Sequence, residues 1–337
     1  MSPGIDCGGA SSQGKEYPQG ERSGCHRRHT PFRHQAIYSW SRREVGCQAW
    51  LAGRQAGKGK RLTATHIFIL LAAGAGTGFA SGLLGVGGGF IMVPVSYWII
   101  LAIGLSPDIA IRIAFGTSLL VILPTAISGS WGHNKRKAVR WKTALILGSC
   151  ALVGALVGAT LAAHLPEKIL EVGFGGLVLA VAIWMGLGIM PKLRREDEGP
   201  RENFGLVAAC GLPIGMVTGL TGLGGGVLIV PVLVLVLNFP LHVAVGTSLA
   251  SIILASLGGI VGYIVNGLGV PDLLPYSLGY VNLPIGLCLA ATSIPLAQLG
   301  ARAAHALPAK PLRYIFIAFM VYVGLSMIGV FEAGTGL

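Results

Sequence analysis

Charge is what this sequence has least of. Only 11% of its 337 residues are Asp, Glu, Lys or Arg, against about 25% in soluble domains. Such a chain has too little polar surface to face water on all sides. Acids are the scarcer sign, 13 against 25 basic residues. Asp108, Glu167, Asp272 and Glu332 fall at the edges of apolar runs or in loops, and only Glu171 begins to enter one. A buried carboxylate proton relay of the kind pumps use is therefore not expected.

Other absences remove whole classes of chemistry. The six cysteines form no CxxC pair, so neither a zinc site nor a redox motif is supported. His66, His133, His164, His242 and His305 stand near the ends of apolar segments without ligand spacing. No nucleophile–base pair accompanies them, and an intramembrane enzyme needs one or a metal set. No P-loop lysine follows either glycine-rich block and no βαβ unit surrounds it, which argues against nucleotide binding. The expectation is a protein that is not an enzyme, has no catalytic residues, metal or cofactor, and takes no nucleic-acid partner. The N-terminal region shows no signal-peptide apolar core.

What is present is apolar length. Hydrophobic residues make up 53% of the chain and glycine contributes 52 residues. The mean hydropathy is +0.71. Long apolar stretches cover Ile67–Leu84, Ile109–Trp131, Thr143–Ala163, Ile169–Met190, Val243–Val265, Val281–Gln298 and Tyr314–Phe331. Runs of about 18 or more such residues read as membrane helices, and none alternates as a barrel strand would. The fold class expected is an all-α polytopic membrane protein, in the cell membrane and crossing it several times.

The chain also repeats itself. "GLLGVGGGFIMVP" from Gly82 matches "GLTGLGGGVLIVP" from Gly219 without a gap. "FGTSLL" at Phe115–Leu120 matches "VGTSLA" at Val245–Ala250, and "GATLAAHLPEKIL" from Gly158 matches "GARAAHALPAKPL" from Gly300. Three blocks in one order divide the chain into a basic N-terminal extension at 1–61, a first membrane repeat at 62–192, a charged linker at 193–203, a second repeat at 204–331 and a tail at 332–337. The extension holds 11 Lys and Arg and 4 acids, has no periodic apolar face, and reads as disordered.

Basic loops favour the cytoplasm. "HNKRKAVRWK" at His133–Lys142, the linker, and the loop around Arg302, Lys310 and Arg313 are placed inside; "HLPEK", the Gly267–Tyr280 loop and the tail fall outside. These assignments agree only if each half crosses an odd number of times, so that the halves are inverted. After the second glycine triplet, Val227–Leu237 is 11 residues, about 17 Å of helix at 1.5 Å per residue. That is too short for a hydrocarbon core about 30 Å thick. Both triplets are read as tips of glycine-broken re-entrant helices, which in inverted halves point to a transport site.

A helix start with bare backbone suits an anion, because its first N–H groups are unsatisfied and its dipole is positive there. Gly87, Gly88 and Gly89, with Gly224, Gly225 and Gly226, are the candidate contacts. The competing reading is close helix packing by small residues. Thr117, Ser118, Thr247 and Ser248 offer hydroxyls to the same ligand, or else bond back to their own helices. Arg112 and His242 occupy matching places five residues before each Thr. They are either ligands at the mouth of the path or residues that snorkel to the interface.

The paired GxGGGxxxVP blocks, each followed by GTSL or GTSLA, resemble the TauE/SafE sulfite-exporter family of membrane permeases. The resemblance covers most of residues 66–331. It implies a transporter of small anions such as sulfite and organosulfonates, with the glycine block at Gly85–Pro94 and Gly222–Pro231 and the GTS block at Gly116–Ser118 and Gly246–Ser248. Its partners would be a small anionic substrate, the lipid bilayer and, in a homodimer, a second copy of the chain. An anion channel, or an assembly protein without transport, is the alternative reading.

Overall fold

The computed structural model describes residues 62–85, 87–186, 204–271, 273–303 and 309–329. The basic extension, the charged linker and the tail lie outside them. Ten helices occupy the described residues in two runs of five. The first run is α1 (Ala64–Leu84), α2 (Gly89–Ala102), α3 (Pro107–Asn134), α4 (Trp141–His164) and α5 (Glu167–Gly186). The second is α6 (Phe204–Thr221), α7 (Gly226–Leu235), α8 (Leu241–Gly267), α9 (Leu283–Ala303) and α10 (Ala309–Met327). A two-stranded antiparallel ribbon precedes α9, with β1 (Ser277–Leu278) facing β2 (Val281–Asn282) and Ser277 opposite Asn282.

Six of the helices, α1, α3, α4, α6, α8 and α9, are long and apolar enough to cross a membrane. Each of the seven apolar stretches overlaps a helix, although Val281 and Asn282 form a strand and residues 187–190 and 330–331 lie outside the described residues. Two features escape a reading by apolar runs. One is α6, whose glycines and internal Pro213 interrupt the run without breaking the helix. The other is the β1–β2 ribbon, too short to carry a periodic signal. By contrast α2 has 14 residues and α7 has 10, about 21 and 15 Å at 1.5 Å per residue.

Punctuation is local. Gly85 ends α1 in the left-handed region at φ 71°, donating to the Ser81 carbonyl. Pro107 occupies the first turn of α3, with Asp108 beside it, where a missing N–H costs nothing and negative charge is favourable.

The packing is reciprocal between the runs. Helix α1 lies on α9 as α6 lies on α4; α9 packs on α3 as α4 packs on α8. The two central helices α3 and α8 face each other, and so do α5 and α10. Bare backbone permits the closest of these approaches. A Cβ at Gly78 would lie 2.2 Å from the Ser293 carbonyl oxygen, and one at Gly82 2.0 Å from that of Ala297. On α6, a Cβ at Gly215 would meet the Ala151 carbonyl oxygen at 2.1 Å, and one at Gly219 that of Ala155 at 2.1 Å. Glycine every four residues is how membrane helices bring their axes together. Large side chains such as Phe68, Trp131, Val265 and Leu287 remain exposed on the outside, as a bilayer-facing surface requires.

Candidate anion site

The two glycine blocks meet in the middle of this packing. Gly88 and Gly225 are the N-caps of the short helices α2 and α7, at φ 76° and 75°, a conformation that glycine adopts without steric cost. The turns touch backbone to backbone: a Cβ on Gly89 would lie 2.7 Å from the Leu223 Cα and 2.8 Å from the Gly222 carbonyl oxygen. The contact lies in the turns that lead into both helices, whose first N–H groups no helix satisfies internally.

The GTS blocks hold that contact by bonds that cross between the runs. Ser118 Oγ donates to the Gly222 carbonyl at 2.8 Å, and Ser248 Oγ to the Gly85 carbonyl at 2.9 Å. Each serine also lies within 2.9 Å of a carbonyl of its own helix, Phe115 or Val245. Thr117 Oγ1 accepts from the Asn282 N–H at 3.0 Å, and Thr247 Oγ1 from the Arg140 N–H at 3.1 Å. Arg140 is the N-cap of α4, and Asn282 immediately precedes α9, its side-chain oxygen accepting from the Ile285 N–H. All four GTS side chains are fully buried. Each hydroxyl thus ties its central helix to a turn or a helix start in the other run.

Arg112 and His242 are not gathered with the glycines. Arg112 is almost buried on α3. Its Nη1 donates to the Asp108 carboxylate at 3.0 Å, its Nη2 to the Leu165 carbonyl at 3.0 Å and its Nε to the Ala162 carbonyl at 3.5 Å. The guanidinium also stands 5.9 Å from the Tyr280 ring centroid. It caps the C-terminal end of α4, where unsatisfied carbonyls and the helix dipole favour a cation. His242 is exposed in the first turn of α8. Arg112→Lys keeps the charge but loses the planar fork, and should lower the unfolding free energy in detergent by about 1–3 kcal/mol. An unshifted thermal midpoint would show that the cap contributes nothing. Glu171, the carboxylate that enters a helix, accepts from the Tyr97 hydroxyl of α2.

One side chain beside the turn makes no hydrogen bond among the described residues. Ser81, in the last turn of α1, is fully buried, and its Oγ has no partner among the described residues. Its carbonyl accepts from the Gly85 N–H at 2.8 Å, as the Thr218 carbonyl accepts from the Gly222 N–H at 2.9 Å. The matching hydroxyl of Thr218 would lie 2.3 Å from a Cβ on Gly225, but it is committed to the Ile214 carbonyl at 2.8 Å. Ser96 on α2 is a second buried hydroxyl without a partner among the described residues. The sequence did hold a signal for Ser81: a hydroxyl residue stands immediately before the matched Gly82 and Gly219 in both repeats.

The comparisons agree with this architecture. A family model described as sulfite exporter TauE/SafE matches residues 70–327. A probable membrane transporter protein of Haemophilus influenzae is 31% identical over 265 residues, covering 78% of this chain and 98% of its own. One from Methanocaldococcus jannaschii is 31% identical over 261 residues, covering 77% and 94%. YunE of Bacillus subtilis, also a probable membrane transporter, is 29% identical over 283 residues, covering 78% and 98%. No solved structure matches. A helical multi-pass architecture, two glycine-broken helix starts in contact, and a family match spanning nearly all of the described residues lead to one assignment: the chain belongs to the TauE/SafE sulfite exporter family of membrane transporters.

Proposed function

We propose that the protein carries small anions, sulfite, organosulfonates or related organic acids, across the cell membrane, and that the anion binds where α2 and α7 begin. The observation that carries this reading is the backbone contact between the two glycine turns. It joins, backbone to backbone, the turns that lead into two positive helix ends. The bound anion would accept from N–H groups of Gly87–Gly89 and Gly224–Gly226 and from the uncommitted hydroxyl of Ser81. Thr117, Ser118, Thr247 and Ser248 would hold the turns in place. In this reading Arg112 acts on α4 and not on the substrate, and no covalent chemistry is involved.

The short helices fit re-entrant pieces, and the reciprocal packing fits two halves related by an in-plane two-fold axis, the arrangement that alternating-access carriers use. One copy of the chain contains the whole proposed site.

Reconstitution tests the function. Purified protein in liposomes should show saturable counterflow of labelled sulfite, competed by sulfonates and not by cations. Ionic conductance without counterflow would establish the channel reading. Neither flux nor conductance over a panel of sulfur oxyanions and carboxylates would remove the transport reading altogether.

A further inference from the structure

Residues 135–142 connect α3 to α4 and carry Lys135, Arg136, Lys137, Arg140 and Lys142, all five exposed. The sequence between Asp108 and Glu167 contains no acidic residue. An indole marks each end of the segment: Trp131 is 63% exposed and Trp141 45%. Amphipathic rings of this kind sit at the headgroup level of a bilayer. Indoles at that level would set the basic groups at the depth of lipid phosphates.

The segment has a fixed shape. Trp141 Nε1 donates to the Asn134 side-chain oxygen at 3.0 Å, closing the loop across its base. The Arg136 and Ala138 N–H groups turn back to the His133 carbonyl at 3.1 and 3.2 Å, and Lys137 is held at φ 57°. The far side of the loop rests on α8. The Ala138 carbonyl oxygen would be 2.3 Å from a Cβ on Gly246, and the Arg140 N–H bonds Thr247. The next residue, Ser248, holds the Gly85 carbonyl of the first glycine turn. The corresponding connection between α8 and α9, residues 268–282, contains no Lys or Arg. Only one of two similarly placed connections is therefore basic.

We propose that residues 135–142 form a docking surface for anionic phospholipid headgroups, and that headgroup binding controls transport through the Arg140–Thr247 contact. Clustered basic residues next to a membrane helix attract anionic lipid. What distinguishes this cluster is its rigid backing on the helix that carries a GTS block. The docking surface rests on the membrane-transporter assignment alone, whereas the control rests also on the sulfite transport proposed above.

The test uses the full chain in nanodiscs of phosphatidylcholine with or without phosphatidylglycerol. Native mass spectrometry after detergent release should find phosphatidylglycerol retained at least about tenfold over phosphatidylcholine, and inorganic phosphate should not displace it. A variant with Lys135, Arg136, Lys137 and Lys142 changed to Gln should lose that preference. In proteoliposomes, sulfite counterflow by the wild type should rise several-fold with phosphatidylglycerol, whereas the variant should respond little. Because basic loops also direct insertion, the wild type at high salt serves as the second measurement, and its preference should fall as the charges are screened. Equal retention of both lipids by the wild type, or an unchanged preference in the variant, would overturn the docking surface. Retention without any effect on counterflow would overturn the control.

Discussion

Ser81→Ala is expected to raise the apparent KM for sulfite by roughly ten- to a hundredfold while leaving the protein as stable as before. The stability half follows from the Ser81 environment. Its hydroxyl is buried and bonds nothing among the described residues, so removing it breaks none of their bonds and relieves an unsatisfied donor. The transport half follows from the chemistry of an oxyanion. A hydrogen bond to a charged group contributes about 1.5–3 kcal/mol, which converts to that change in affinity. Ser81→Thr, which mimics Thr218, should retain most of the affinity. Concentration-dependent uptake of labelled sulfite in proteoliposomes, beside a thermal melt in detergent, reads both halves. An unchanged KM in Ser81→Ala would remove this hydroxyl from the site. Glycine substitutions are a blunter tool. An alanine at Gly88 would be strained at φ 76° with its Cβ 3.0 Å from the Thr77 carbonyl oxygen, and one at Gly225 would put its Cβ 2.3 Å from Thr218 Oγ1. Transport lost in either variant would report a distorted cap as readily as a blocked anion.

The crossed serines should give the largest loss of stability. Ser118→Ala leaves the Gly222 carbonyl without its donor in a buried turn, and Ser248→Ala does the same to Gly85. Each change should cost about 1–3 kcal/mol. The two turns press on each other through Gly89 and Leu223, so loosening one alters the seat of the other. The double variant should therefore depart from the sum of the singles by about 0.5–3 kcal/mol, and transport should fall with the folded fraction. A double-mutant cycle on unfolding in detergent measures this. Strict additivity would mean that the serines act as separate local bonds and that the turns are not a joined unit.

Much of this was readable in the chain before any coordinates. Apolar runs located most of the helices, since the bilayer imposes a length that composition reports directly. The doubled glycine and GTS blocks marked the positions that the fold brings together. What could not be read was how they join. Aligning a repeat with itself pairs Ser118 with Ser248, whereas the bonds run from Ser118 to Gly222 and from Ser248 to Gly85. Equivalence within a repeat says nothing about contact between its copies. The Thr117, Ser118, Thr247 and Ser248 hydroxyls prove to be engaged with backbone, and the uncommitted hydroxyl beside the turn is that of Ser81. Arg112 shows the same limit: the carbonyls it caps are 50 and 53 residues away, beyond any local pattern.

The pairing of α1 with α9 has a consequence for how the protein is made. Thr292 Oγ1 reaches the Leu71 carbonyl across 221 residues of chain, and the glycine face of α1 is shaped to fit α9. During synthesis α1 enters the bilayer long before its partner exists. Its groove must wait among lipid tails until the ribosome has delivered almost the whole polypeptide. A chain that stopped after α8 would expose that groove and would lack the Asn282 N–H that Thr117 accepts from. Quality control would then recognise a premature stop late in the message by an unfilled surface near its beginning.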